Sequence, residues 1–206
     1  MSFDAVIIGA GVIGAALALE LSKAGFKTLN VDKNHDAGMG STSGSCAIIR
    51  VHYSTLDGSA LAYEGYFDWK NWSDYLGVED ALGNAKFLEC GCLVMKTEQN
   101  GFMKKHKSIC DELRIPYEEW DSKLIKEKLP IYSQDSYSPT KRIDNEDFGK
   151  SNGSLVNSGI FFPTAGYVTD PQLSAHNLKV AAEKLGARFK FDTEVTNINK
   201  KNDRVI

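Results

Sequence analysis

The N-terminal segment limits the possible folds most sharply. It reads Asp4-Ala-Val-Ile-Ile-Gly9-Ala-Gly11-Val-Ile-Gly14, continues as an apolar helical stretch, and reaches Thr28-Leu-Asn-Val-Asp32-Lys33. This order predicts a short buried strand over residues 5–8, a glycine turn, and a helix over 12–24 closed by Gly25. A second strand over 27–31 then ends in an acid. The glycine spacing suits a site for the pyrophosphate of a dinucleotide. Gly9 permits the tight turn, Gly11 lets the backbone approach the phosphates, and Gly14 lets the helix pack close to the strand. The helix start at Val12 and Ile13 offers free N–H groups and a positive dipole end to the anion. Asp32, followed by Lys33, stands where a carboxylate accepts hydrogen bonds from the adenosine ribose. The competing reading is a glycine-rich turn in an unrelated α/β protein. The apolar run, the helix and the terminal acid favour the dinucleotide, without separating NAD from FAD.

The chain has 206 residues and a net charge of −3. No basic stripe is present, so nucleic acid is not an expected partner. No stretch is long and apolar enough to span a bilayer. The N-terminal apolar run lacks a basic flank and is broken by Gly9 and Gly11, which argues against a signal peptide. Cys46, Cys90, Cys92 and Cys110 and the four scattered histidines do not make a metal-ligand pattern. Reduced thiols and a cytoplasmic location are expected, with no metal.

Further along, a helix is expected over 59–76, with Leu61, Gly65, Trp69, Trp72 and Leu76 on one side. A strand is expected over 87–95. Phe102, His106, Ile109, Cys110 and Leu113 mark another amphipathic helix, in which His106 reads as structural or partly exposed. Asp121 can cap a short helix over 122–128. Residues 130–158, rich in Ser, Asp, Asn and Gly, read as a surface excursion. Strand 159–163 follows, then a helix with Asp170 as N-cap and Pro171 in its first turn. Strands over 187–191 and 193–198 and a polar turn over 200–203 end the chain. The last residues look like the start of a strand, and a doubly wound sheet has more strands than these. A C-terminally truncated chain is therefore expected.

Three segments together resemble the D-amino-acid-oxidase-like FAD-dependent oxidoreductase superfamily, in its sarcosine oxidase and dimethylglycine dehydrogenase branch. They are the N-terminal fingerprint with Asp32; Gly40-Ser-Thr-Ser-Gly-Ser45 leading to Ile48-Ile49-Arg50 and His52-Tyr53; and Gly166-Tyr-Val-Thr-Asp170-Pro171 with Thr193-Glu-Val195. The resemblance implies an α/β fold: a Rossmann-type, glutathione-reductase-like FAD-binding domain with part of an inserted α+β substrate domain. Residues 1–80 would be the first part of the FAD-binding domain. Residues 81–158 would be partial substrate-domain strands and helices with the surface excursion, and 159–206 an incomplete return to the FAD-binding domain.

By the same resemblance, Ser41, Thr42 and Ser45 hydrogen-bond the cofactor, and the backbone of Val195 meets the adenine. A merely flexible loop and a plain core valine are the alternatives. The loop carries Ser43 and Gly44 and no histidine, which implies non-covalent FAD. Arg50 implies a group beside the flavin that takes a substrate carboxylate, with His52 and Tyr53 on the same wall; a structural salt bridge is the other reading of Arg50. Cys46 departs from the branch, which often has arginine or asparagine in that stretch. The implied activity is oxidation of a small amine or amino acid, of the sarcosine or glycine type, by hydride transfer to flavin N5. Oxidation of a 2-hydroxy acid or glycerol phosphate, and a non-catalytic FAD scaffold or inactive fragment, stay open, as do the electron acceptor and the oligomeric state.

Overall fold

A computed structural model describes residues 2–201 and 204–205. In chain order the elements are β1 (Ala5–Ile8), α1 (Val12–Lys23), β2 (Thr28–Val31), β3 (Ile48–Ile49), α2 (Leu56–Lys70) and α3 (Trp72–Leu76). Next come β4 (Phe87–Leu88), β5 (Cys92–Met95), α4 (Lys104–Leu113), β6 (Glu118–Asp121) and α5 (Ser122–Lys128). The last are β7 (Ser158–Phe162), β8 (Gly166–Val168), α6 (Pro171–Lys184), β9 (Arg188–Lys190), β10 (Lys200–Lys201) and β11 (Arg204–Val205). The chain divides into two compact units. The first comprises residues 1–49, 67–88 and 167–206, and the second comprises 50–66 and 89–166.

The first unit is built on a parallel sheet in the order β1-β2-β9. Helices α1 and α6 pack against each other. Ile7, Ala15, Ala18, Leu19, Leu178, Ala181 and Ala182 form their buried core with Trp72 and Leu76. Small residues at the helix contact let the two backbones come close, which places the start of α1 firmly against the end of β1. Strand β1 is less buried than its apolar sequence suggests. Ile7 faces the helices, while Val6 and Ile8 are 54% and 57% exposed. Successive side chains alternate between faces, and the helical layer covers only one of them.

Asp170 caps α6 as expected, its carboxylate accepting from the Leu173 N–H at 2.9 Å, with Pro171 opening the helix. Asn177 on the same helix is fully buried and fully partnered. Its Oδ1 accepts from the Ala85 N–H at 2.9 Å, and its Nδ2 donates to Asp80 and to the Gly83 carbonyl, each at 2.9 Å. One side chain thus ties the 80–85 loop to α6. A smaller sheet has the order β3-β8-β4.

The second unit carries an antiparallel sheet in the order β5-β7-β6. Met103, Ile109, Cys110, Ile115, Trp120, Ile125, Ile160 and Phe162 are buried in it. Trp120 stacks on Phe161, ring centroids 4.4 Å apart. The surface excursion folds back on itself through a bridge between Asp135 and Leu155 and a Val156 N–H bond to the Gln134 carbonyl.

Several sequence expectations give way. The helix expected over 59–76 is two helices, because Asn71 leaves helical geometry at φ −111°, ψ 40°. Its predicted inward stripe is displaced as well: Leu61 is 72% exposed, and Tyr66 is buried. The strand expected over 87–95 breaks at Gly91, which has φ +78°, and a Cβ there would come within 2.2 Å of the Phe161 ring. Cys90 and Cys92 therefore do not share one continuous strand. Phe102 lies in a short 3-10 turn before α4, at φ 52°. Strand β6 was not foreseen, because Glu-Glu-Trp-Asp has too little apolar alternation to announce itself. Residues 193–198 form no strand. Asp192 turns the chain at φ 52°, and the Thr193 N–H then bonds the Asp32 carbonyl at 3.0 Å. The centre of the turn expected over 200–203 lies outside the described residues.

Candidate functional site

The turn between β1 and α1 is held by backbone rather than by side chains. Gly9 takes φ +103°, the left-handed region that glycine enters without strain. Its N–H bonds the Val31 carbonyl at 2.8 Å, which ties the turn to the end of β2. A Cβ on Gly14 would lie 2.0 Å from the Gly9 carbonyl oxygen. No side chain fits there, so the first turn of α1 is locked over the glycine turn.

Gly11 is the N-cap of α1 and brings no side chain to the free N–H groups. Thr42 supplies one instead: its hydroxyl oxygen accepts from the Val12 N–H at 3.1 Å. That hydroxyl is also what a Cβ on Gly11 would meet, at 3.0 Å. The small-residue loop thus comes down on the helix start, and glycine is needed at 11 partly to admit it. The N–H groups of Ile13 and Gly14 have no partner within the helix, as in any first turn. Ile13 itself is 82% exposed. Ser41 and Ser45 are exposed, and the Ser45 hydroxyl accepts from the Ala47 N–H at 3.0 Å.

Asp32 closes the other side of Gly9. One carboxylate oxygen accepts from the Ala10 N–H at 2.7 Å, and the second from the backbone and side chain of Asn34 at 2.8 and 3.0 Å. Each carboxylate oxygen has two lone pairs, so the residue retains acceptor capacity. It lines a cleft of about 260 Å³ with Gly9, Lys33, Asn34, Thr193 and Val195. Val195 is 36% exposed and lines this cleft instead of joining the core. A second groove, of about 610 Å³, runs along Gly9, Gly11, Val12, Ile13, Gly14, Ser41 and Thr42. All eleven sequence-expected cofactor residues, from Gly9 to Val195, lie in the first unit and around these two hollows or on the loop beside them.

Arg50, His52 and Tyr53 belong to the second unit. The Arg50 guanidinium lies over the Tyr53 ring, 4.7 Å from its centroid. Among the described residues no carboxylate lies within 4 Å of it. His52 is 5% exposed and stacks on Phe162 with ring centroids 4.2 Å apart and planes 16° from parallel. Its neighbour on α4 is His106, edge-on at 6.1 Å. Burial pushes the His52 imidazole down to about 4, and the charges of Arg50 and His106 act in the same direction. His106 is lowered too, by burial and then by Lys105 and Arg50. His106 is half-buried on α4, in keeping with its sequence reading as structural or partly exposed.

A family model described as FAD dependent oxidoreductase matches residues 4–206. N-methyl-L-tryptophan oxidase of Yersinia pestis (strain Pestoides F) is 25% identical over 203 residues, covering 96% of this chain and 47% of that enzyme. L-proline dehydrogenase from P.horikoshii superposes with a TM-score of 0.76 at 23% identity, over 97% of this chain and 46% of its own. Glycine oxidase from Geobacillus kaustophilus gives a TM-score of 0.71 at 21% identity, over 96% and 48% respectively. At such identities the two superpositions speak to fold alone. The chain spans about half the length of the curated relatives it matches. No helix among the described residues is long and apolar enough to cross a membrane. With a family match that runs almost from end to end, the chain belongs to the FAD-dependent oxidoreductase family.

Proposed function

We propose that the protein oxidises a small amine or amino acid that carries a carboxylate, with FAD held by the first unit and the carboxylate by Arg50. The residues present fit the cofactor. Gly9, Gly11 and Gly14 bring no side chain to the groove at the start of α1, and the first turn of that helix has N–H groups to give to a pyrophosphate. Asp32 keeps acceptor capacity for the ribose hydroxyls, Lys33 and Val195 flank that cleft, and Ser41, Thr42 and Ser45 offer hydroxyls without bulk. FAD, when bound, accepts the hydride removed from the carbon beside nitrogen. A cytoplasmic setting, where the four thiols stay reduced, accompanies this reading.

The observation that carries it is the state of Arg50. A guanidinium engages both oxygens of a carboxylate, and this one has no carboxylate partner among the described residues. That favours a ligand over a structural salt bridge. The names of the relatives, N-methyl-L-tryptophan oxidase and glycine oxidase, denote amino acids and so agree in chemical class. The Tyr53 ring supports the guanidinium, and burial holds the His52 imidazole well below its usual range.

The test is made in the complete protein, by following flavin bleaching with N-methyl amino acids, their decarboxylated amines and a 2-hydroxy acid. Arg50→Lys keeps the charge and loses the two-pronged geometry. A loss of about 10- to 100-fold in kcat/KM is expected for carboxylated substrates, the value of a charge-assisted bond, with little change for the plain amines. Equal losses on both classes would remove the carboxylate role. Bleaching by the 2-hydroxy acid alone would transfer the activity to the alcohol class.

A further inference from the structure

We propose that the hollow at the start of the parallel sheet in the first unit is a second ligand site, and that it takes a small carboxylate with an apolar or aromatic body. It stands apart from the cofactor clefts. Phe3 precedes β1, Lys27 precedes β2 and Arg188 opens β9, so the hollow lies where all three parallel strands begin. Gly9 and Asp32 follow the opposite ends of β1 and β2.

One cavity of about 530 Å³ gathers Phe3, Ser22, Phe26, Lys27, Leu185 and Arg188 in its wall. Two glycines keep it open. Gly25 and Gly186 follow the ends of α1 and α6 at φ +86° and +100°, and a Cβ on either would meet nothing within 4 Å. Phe26 and Leu185 are each 51% exposed, so apolar surface is left uncovered at this one place. The Arg188 guanidinium lies over the Phe3 ring, 6.0 Å from its centroid. Ser22, in the last turn of α1, is 8% exposed, and its Oγ is buried with no hydrogen-bond partner among the described residues. Buried hydroxyls in folded proteins are ordinarily paired, so this one marks a partner still to be supplied.

The wall carries two cations and no carboxylate. Among the described residues neither Lys27 nor Arg188 has a carboxylate within 4 Å. Asp4, outside the wall, is engaged by backbone: its carboxylate accepts from the Lys27 N–H at 2.8 Å. An anion is therefore the complement, and a guanidinium with a hydroxyl supplies donors to both oxygens of a carboxylate. The helix ends limit how much charge the site welcomes. Ser22 and Gly25 bring the carbonyl end of α1 to the hollow, and Leu185 and Gly186 bring that of α6. Such ends carry partial negative charge, which Lys23 and Lys184 in the last turns offset. A single negative charge at Lys27 and Arg188 fits this balance better than a doubly charged phosphate. Phe3, Phe26 and Leu185 then give an apolar body a surface to lie on.

The experiment uses the complete, FAD-loaded protein with Arg50→Gln as the parent, so that the carboxylate site proposed at Arg50 does not contribute. The probe is para-fluorophenylacetate, followed by fluorine NMR. Its neutral amide and inorganic phosphate are the controls. The acid is expected to bind, the amide to bind about tenfold more weakly or worse, and phosphate not to displace the acid. Arg188→Gln is expected to weaken the acid about 10- to 100-fold, the value of a charge-assisted bond. Ser22→Ala is expected to weaken it about threefold to tenfold, while its urea midpoint holds or rises, because it removes a hydroxyl that has no partner in the free protein. Absence of binding, equal binding of acid and amide, or an affinity unchanged in Arg188→Gln overturns the anion site. Displacement by phosphate overturns the choice of a carboxylate. An unchanged affinity with a lowered midpoint in Ser22→Ala makes that hydroxyl structural and overturns its part in the site.

Discussion

The β1–α1 turn and the Arg50–His52–His106 group make opposite use of the chain. At the turn, backbone atoms do the work. Gly9 bends where a side chain would be strained, a Cβ on Gly14 would lie 2.0 Å from the Gly9 carbonyl oxygen, and the groups left free at the start of α1 are amide N–H. Such a site has to appear as a spacing of glycines, because its parts lie within six residues of one another. In the second group, side chains do the work, and they arrive from residue 50, residue 52 and helix α4. Nothing in the sequence ties residue 52 to residue 106. The pairing exists only after α4 has packed and Phe162 has settled under the His52 ring.

The contrast breaks most directly at Gly14. If the turn is specified by backbone proximity, Gly14→Val forces the helix start away from β1. An overpacked contact against a carbonyl, which cannot rotate aside, is expected to cost about 3 kcal/mol or more. Urea unfolding would show a lower midpoint, and quenching of added FAD fluorescence would be lost even where the variant remains folded. An unchanged midpoint with FAD still bound would mean that the turn tolerates a side chain and that the glycine spacing is incidental.

His52 tests the other side. Its folded titration point, about 4, lies below the usual 6.5, chiefly because the ring is buried. A group depressed in this way supports the folded state fully above about pH 6.5, and the support drains away as the pH falls through 4. His52→Phe keeps a flat ring against Phe162 and removes the proton. The drop in urea midpoint between pH 7 and pH 4 is therefore expected to be smaller in the variant than in the parent. An identical drop would show that His52 is not held neutral by its surroundings.

The two regions also differ in how much could be read in advance. Strands β1 and β2, helix α1 and the Asp170-Pro171 start of α6 were legible because each follows from a local rule: a buried alternation, a cap, a fixed proline φ. The break at Asn71 was not legible, since neither glycine nor proline marks it, and the interruption follows from tertiary packing of Trp72 and Leu76. Gly91 did carry a signal, an isolated glycine within an apolar run, and the Phe161 ring against it gives the reason. Strand β6 is polar at three of four positions and exists because β7 offers it an edge. The strand expected over 193–198 does not form, and Thr193 and Val195 line a cleft beside Asp32 instead. Of the candidate site, the glycine turn and Arg50 could be singled out from the sequence. The resemblance pointed to Thr42 as a cofactor residue, and nothing in the sequence announced that its hydroxyl caps Val12.

The smallest effect separates burial from surface charge within the second unit. Glu119 bridges Lys107 and Lys96, and those two ammonium groups, Lys107 first, hold its carboxyl at about 2. The depressed value means that its support is complete above about 4.5 and is lost as the pH falls through 2, a window that begins close to where that of His52 ends. The side chain is 47% exposed, so solvent and salt screen the pair, and Glu119→Gln is expected to cost less than about 1 kcal/mol at pH 7. The same comparison in 1 M NaCl should erase most of the difference, whereas the His52 effect, which comes mainly from burial, should persist. A Glu119 effect that survives high salt would mean that the bridge is more enclosed than its exposure indicates. A His52 effect that vanishes in salt would mean that the field of Arg50, and not burial, keeps the ring neutral.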